Sequence, residues 1–241
     1  MPHLHRFHIA PDTPGGGEIA LPPEEAHHAI KVVRLREGDL VSLFDGQGRE
    51  WTGAVARLGR REVVISIREE RRAPRPGPRL TLAQAWLHQE KALELLVRTG
   101  TELGVDRFLF FRAARSERPP RLNPKWMRLA VESCKQCGRL WLPEFAVAET
   151  LAGVLRDARG DLLVAAVDAE PVPLAQALSG GDTTLLIGPE GDFTPEEVRA
   201  ALGAGARPIS LGATTFRSEI AAIVATALVQ HHLGRLGPSS R

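Results

Sequence analysis

Tyrosine is absent from the 241 residues, cysteine occurs only at Cys134 and Cys137, and lysine supplies just four of the 31 basic side chains. Two cysteines cannot make a disulfide framework, and such sparing use fits a reducing compartment, so a cytoplasmic protein is expected. The longest apolar run, Ile220 to Val229, has ten residues. That is well short of the ~18 needed to span a bilayer, so no membrane partner is expected. The opening MPHLHRFHIAPD has neither an apolar core nor a cleavage site, which argues against a signal peptide. The chain has no G-x-x-x-x-G-K-[ST], no G-x-G-x-x-G after a strand and no G-x-S-x-G. These gaps count against a P-loop NTPase, a Rossmann-type enzyme and an α/β-hydrolase. His3, His5, His8, His27 and His28 have no carboxylate or cysteine at ligand spacing, and the two cysteines have no second pair. No metal is therefore expected.

What the chain does contain is a globular mixture, 43% hydrophobic and 25% charged, with room for one large domain and a small partner. The net charge of +2 conceals a segregation: residues 1–73 are neutral, 80–143 carry a net +5 and 144–241 a net −5. Nine basic side chains lie between Arg107 and Arg139 against only Glu117 and Glu132. Such a stripe is either a polyanion-binding face or a solvated surface; arginine's forked contacts to phosphate favour nucleic acid.

Residues 73–79, APRPGPR, read as a linker, since proline fixes φ and removes a donor. Before it, alternating strands are expected at Arg6–Ile9, Leu40–Phe44, Glu50–Arg57 and Glu62–Arg68, with a helix from Pro22 to Val33. A small β-barrel-like module over 1–72 follows. After it, apolar strands (Leu80–Ala85, Arg107–Phe111, Leu162–Val167, Thr183–Ile187, Pro208–Leu211) alternate with helices (Glu90–Leu103, Pro124–Cys137, Pro195–Ala204, Ser218–Leu233). That alternation predicts an α/β domain over 80–241, built on a mainly parallel sheet covered on both faces. Asn123-Pro124 and Thr194-Pro195-Glu196-Glu197 are helix starts, the second a capping box. Cys134 and Cys137 fall near the end of a helix, where no dipole lowers a thiol pKa, and read as packing or local RNA-facing structure.

Two strand-to-loop junctions carry the strongest chemical signal. LLIGPEGDF (Leu185–Phe193) joins a buried strand to a glycine, a rigid proline, an acid and a capped helix. ISLGATTFRSEIAAIVA (Ile209–Ala225) joins another strand to Gly212, a short loop, and Arg217 and Glu219 opening an apolar helix. Ligands of open α/β sheets bind beyond the carboxyl ends of strands, where glycine lets the backbone approach. Either junction alone is an ordinary βα turn; the two in this order are specific.

At these residues the chain resembles the RsmE family of SPOUT RNA methyltransferases, which carry an IGPEGG-like segment followed by an LG-x(3)-LR-x-ET-like segment. Here they stand as Ile187-Gly188-Pro189-Glu190-Gly191-Asp192 and Leu211-Gly212-Ala213-Thr214-Thr215-Phe216-Arg217-Ser218-Glu219. His27 to Arg34 with Gly38-Asp39, Thr101 to Val105, Arg115-Ser116 and Cys134 to Arg139 extend the likeness over most of the chain. Asp192 replaces the second glycine, Phe216 a leucine and Ile220 a threonine, the last removing a hydroxyl beside Glu219.

The resemblance implies S-adenosylmethionine-dependent methylation of N3 of a uridine, U1498, in 16S ribosomal RNA. It also implies a PUA-like N-terminal barrel, a SPOUT α/β domain with a trefoil knot, and a homodimer. The cofactor pocket is expected at Ile187, Gly188, Pro189, Glu190, Gly191, Ile209, Leu211, Gly212, Thr215 and Phe216, with Glu190 a cofactor partner or merely a helix-start acid. Arg217 is expected to stabilise the N3 anion, and Glu219 to take its proton or orient Arg217. Phosphates are expected at Arg6, Lys31, Arg34, Arg112, Arg115, Lys135 and Arg139. The apolar helix Ser218–Leu233 needs cover from the core or from a partner subunit. A SPOUT enzyme for another RNA site and a non-catalytic RNA-binding protein are the competing readings.

Overall fold

The computed structural model describes residues 4–166 and 170–236; His3 and Val167 lie at the edges of this range, His3 outside it and the expected strand end at Val167 likewise. Contacts divide the chain into two units, one of residues 1–75 with Val131–Leu142 and one of Pro76–Ala130 with 143–241.

The first unit contains β1 (His5–His8), β2 (Glu18–Ala20), α1 (Pro23–His28), β3 (Leu40–Phe44), β4 (Arg49–Leu58) and β5 (Val63–Arg72). They form one five-stranded sheet in the order β1-β3-β4-β5-β2, antiparallel except where β1 runs beside β3. Alternation turns Phe7, Val41, Leu43, Trp51, Val55, Val63 and Ile65 into a shared core. The β3–β4 turn is held by Asp45, whose carboxylate accepts from the main-chain N–H of Gln47 at 2.7 Å and of Arg49 at 3.0 Å. The helix expected from Pro22 to Val33 is divided: α1 ends at His28 and Ala29–Val33 continue as a π-helical turn. That turn stops at Arg34, which holds a left-handed φ of 60°. The three-residue β2, with a single inward apolar residue, Ile19, is too short to show as a sequence pattern.

The second unit alternates β6 (Leu80–Ala85), α2 (Glu90–Glu102), β7 (Arg107–Phe111), the start of α3 (Lys125–Cys137, which from Val131 on belongs to the first unit), β8 (Glu144–Ala148), α4 (Leu151–Asp157) and β9 (Asp161–Ala165). It continues with α5 (Leu174–Ala177), β10 (Thr183–Ile187), α6 (Pro195–Gly203), β11 (Arg207–Ile209) and α7 (Ser218–His232). The six strands are all parallel, in the order β11-β9-β10-β6-β7-β8. Alternate residues feed two cores. Leu80, Leu82, Phe108, Phe110, Leu185 and Ile187 face one side; Ala83, Ala85, Leu109, Phe111, Leu186 and Val164 face the other. This is the doubly covered sheet that continuous apolar strands predict.

β8, α4 and α5 go beyond the sequence-based expectation: β8 is half-exposed along most of its length and α5 has four residues. Both expected helix starts form. Asn123 Oδ1 accepts from the Lys125 N–H at 3.0 Å. Thr194 and Glu197 exchange bonds at 3.2 and 3.0 Å. Cys134 is buried, and burial pushes its thiol up to about 12, which suits packing rather than reaction. Among the described residues no helix is long and apolar enough to cross a membrane. Among the same residues no three His, Cys, Asp or Glu side chains gather to hold a metal.

Candidate active site

The strand order reverses direction between β6 and β10: the chain steps outward through β7 and β8, then returns to place β10, β9 and β11 on the other side. A ligand crevice belongs beyond the carboxyl ends of strands at such a point. A cavity of about 290 Å³ lies beyond the carboxyl ends of β9, β10 and β11, on the β10 side of that point, bounded by Ala165, Ala166 and Pro171 after β9, by 187–190 and Asp192 after β10, and by 209–216 after β11. Ser218 and Ala221 of α7 complete the wall.

Nine of the expected cofactor residues line it: Ile187, Gly188, Pro189, Glu190, Ile209, Leu211, Gly212, Thr215 and Phe216. Gly191 does not; it faces Arg115, whose side-chain carbons lie 3.3 Å from where its Cβ would stand. Gly188 has no room for a side chain, because a Cβ there would meet Asp192 Oδ1 at 2.9 Å. Gly212 holds φ at 117°, which favours glycine. Asp192 is left-handed at φ 60°, and its Oδ1 accepts from the Phe193 N–H at 2.7 Å. Aspartate is among the few residues whose short polar side chain tolerates this conformation, which explains how it replaces a glycine.

The first loop is tied down from behind. Glu190 Oε1 accepts from the His88 N–H at 2.9 Å, and Arg115 Nη1 donates to the Gly191 carbonyl at 2.5 Å. Gln84, fully buried in β6, donates from Nε2 to the Gly188 carbonyl at 3.1 Å and to Ser218 Oγ at 2.9 Å. Ser218 Oγ itself donates to the Gly188 carbonyl at 2.5 Å. One amide thus joins the β10 loop to the start of α7. Sequence reasoning missed Gln84, although a glutamine inside the apolar strand LTLAQA is the signal that finds it.

Arg217 is exposed immediately before α7 and Glu219 is half-buried in its first turn, on either side of Ser218. Neither makes a hydrogen bond or ion pair with the described protein, and the N–H groups of Ala213 to Arg217 are likewise without protein acceptors. The second loop therefore presents unengaged donors at the cavity mouth.

The expected phosphate contacts separate into two groups. Lys31, Arg34 and Arg112 are exposed and unpaired. Arg6 and Lys135, by contrast, are turned inward within the first unit and paired with its carboxylates. Arg6 Nη1 lies 3.3 Å from Glu50, and burial lowers its pKa. Lys135 grips both oxygens of Glu25 at 3.0 and 3.2 Å with its side chain only 9% exposed. Arg139 is half-buried and already engaged, and Arg115 serves the Gly191 loop.

The chain matches known proteins over nearly its whole length. Residues 74–230 match the family model of the RNA methyltransferase domain, and 21–68 that of the RNA methyltransferase PUA domain. A curated relative, ribosomal RNA small subunit methyltransferase E of Rickettsia conorii, is 29% identical over 94% of this chain and 95% of its own length. The crystal structure of a probable rRNA-methyltransferase from Porphyromonas gingivalis is 31% identical, with a TM-score of 0.86 over 96% of this chain and 99% of that one. A methyltransferase of Legionella pneumophila, solved in complex with its cofactor SAM, is 27% identical, with a TM-score of 0.81 over 95% of this chain and 97% of that one. The match of residues 74–230 to the RNA methyltransferase domain and of 21–68 to its PUA domain, on an open parallel sheet with its crevice beyond the carboxyl ends of β9, β10 and β11, shows that this chain belongs to the RNA methyltransferase family.

Proposed function

We propose that the chain transfers the methyl group of S-adenosylmethionine to N3 of a uridine in 16S ribosomal RNA, the U1498 position implied by its likeness to the small-subunit methyltransferases E. The observation that carries this reading is the cavity in which both predicted loops meet beside Arg217 and Glu219. The residues suit the cofactor. Ile187, Ile209, Leu211 and Ala221 give an apolar wall for an adenine, and the free N–H groups after Gly212 suit its polar edge and ribose. The bound sulfonium supplies an activated methyl with its leaving group attached. The protein's work is then positioning and charge.

Arg217 holds the uracil carbonyl oxygens and stabilises the negative charge that develops as N3 loses its proton. Glu219 accepts that proton: an orienting carboxylate would be paired with Arg217, and no such pair forms among the described residues. If so, Glu219→Gln slows the chemical step by about 10²–10⁴ while binding S-adenosylhomocysteine normally. A chemical step near the wild-type rate removes Glu219 from proton transfer. The uridine must leave its stack, because pairing occupies the N3 edge. Exposed, unpaired Arg112, Arg118, Arg121 and Arg128 suit the phosphates around it.

Two loop anchors give further expectations. Gln84→Leu removes the shared donor of Gly188 and Ser218, and ~1–2 kcal/mol of forfeited hydrogen bonding corresponds to about tenfold weaker S-adenosylhomocysteine binding by calorimetry. Arg115→Ala weakens the same binding while leaving the salt dependence of RNA binding unchanged. A flattened salt slope would instead restore Arg115 as a phosphate contact.

In this reading residues 1–72 bind RNA and 80–241, knotted as in the family, carry out transfer in the cytoplasm; 131–142 pack with the first unit. Homodimerisation is part of it. On α7 Ile220, Ile223 and Val224 are only half-buried and Leu228 is 41% exposed, so the core leaves apolar surface for a second copy. Sedimentation at working concentration tests this, and particles of single-chain mass would reject it. Labelled S-adenosylmethionine, purified chain and unmethylated small subunits test the activity, with the product mapped by mass. Methyl at any nucleotide other than the uridine would overturn the substrate assignment.

A further inference from the structure

His27 on α1, Lys31 on the π-helical turn, and Arg60 and Arg61 at the β4–β5 connection surround a notch of about 160 Å³ floored by Pro23 and Ile30. It lies wholly within the first unit. All four polar side chains are exposed, and none makes a hydrogen bond or ion pair with the described protein. Several other cations of this unit are paired. Arg6 and Arg71 both pair with Glu50, Arg49 with Asp45, and Lys135 with Glu25. The nearest acid in sequence, Glu62, is already occupied by Arg57 at 3.8 Å. Three permanent positive charges therefore converge on one small concavity with no carboxylate bound to them.

Local backbone supports the convergence. The β4–β5 connection is closed by Gly59, whose N–H donates to the Glu62 carbonyl at 2.8 Å, so Arg60 and Arg61 sit at the tip of a tight turn. Opposite them, Lys31 lies on a π-helical turn, a rare geometry found mostly where a helix carries function. Adjacent like charges repel, and a fold that leaves them unneutralised gains nothing in stability from doing so.

We propose that this notch is a backbone-phosphate subsite for RNA, formed by Lys31, Arg60 and Arg61 with His27 as a further donor, and separate from the methyl-transfer cavity of the other unit. Arginine forks match phosphate oxygens, lysine adds a point charge, and the notch has the size of one phosphodiester with part of its ribose. Phosphate contacts fix register without reading sequence. The notch therefore holds the RNA in place while selection of the target uridine occurs elsewhere. The inference rests on the reading above that the substrate is RNA.

The test is equilibrium binding of a 16S RNA fragment by the full chain over a series of salt concentrations, with S-adenosylhomocysteine calorimetry and thermal unfolding alongside. For the double variant R60A/R61A the expected result is at least tenfold weaker RNA binding near 0.1 M salt. The log–log salt slope should be shallower by ~0.7–0.9 for each phosphate that the variant no longer neutralises. Lys31→Ala alone should give a smaller change of the same kind, while Arg61→Lys should largely retain the slope, because charge is what the phosphate sees. Cofactor affinity and unfolding midpoint should match the wild type. An unchanged affinity and slope in R60A/R61A, with wild type binding RNA, overturns the subsite. A slope change accompanied by a lowered unfolding midpoint in both R60A/R61A and Lys31→Ala also overturns it, by assigning the effect to folding. If the wild-type chain itself fails to bind RNA, the proposed function falls instead, and the two failures are distinguishable.

Discussion

Replacing Arg217 by alanine should lower kcat by about 10²–10³ while leaving the affinity for S-adenosylhomocysteine nearly unchanged. The magnitude is that of removing one preorganised donor from a site where negative charge develops. The geometry supports treating Arg217 as such a donor. It precedes α7, outside the residues that line the cavity. It is exposed, and no carboxylate of the described protein neutralises it. A cation held free of protein partners, beside a loop of unengaged N–H groups, is poised for the substrate rather than for the fold. Single-turnover kinetics with saturating cofactor reads the chemical step directly. Arg217→Lys should recover only part of the rate, since an ammonium cannot span two carbonyl oxygens as a planar fork does. A variant with near-normal turnover would remove Arg217 from the chemistry. One with normal turnover only at high RNA concentration would make it a binding residue.

Lys135→Met should cost ~3–5 kcal/mol of stability, the range for removing one partner from a buried ion pair. Lys135 is 9% exposed and the Glu25 side chain 13%, so methionine fills the volume but leaves a carboxylate without its cation. Burial already raises the pKa of Glu25 above its usual 4.5, with Lys135 pulling it down. A carboxyl whose folded pKa lies above its unfolded value is destabilising once ionised. Its ionisation weakens the fold as pH rises from about 4.5 through the raised folded value. Without Lys135 that cost grows, so the variant should lose most stability near neutral pH and approach wild type as the solution becomes acidic enough to protonate Glu25. Urea unfolding at pH 7 and pH 4 measures both. A gap that is equal at the two pH values would contradict the pairing. Unaltered RNA affinity in the folded variant would agree with the inward placement of Lys135.

These residues also show what a sequence can and cannot convey. The two strand-to-loop junctions were legible because strand, glycine, loop and helix start are all local, and nine of ten expected residues line one cavity. The parallel sheet was legible because strands covered on both faces carry uninterrupted apolar runs. Charge direction was not legible. Arg6 and Lys135 look like any other basic residue until Glu50 and Glu25, both remote in sequence, are brought against them. Gln84 was overlooked for the same reason, since its acceptors lie 104 and 134 residues away. The short elements β2 and α5 contain too few residues for a period to register, and packing alone defines them. Asp192 shows the converse case: a departure from the family pattern that the residue's own conformational tolerance explains.

A crystal of the chain grown with S-adenosylhomocysteine is the most direct measurement. The account predicts adenosine density between 187–190 and 209–216, with main-chain groups of the second loop at its polar edge and the sulfur facing Arg217 and Glu219. Density at any other place on the second unit, or a fully occupied ligand whose sulfur points away from those two side chains, would contradict it.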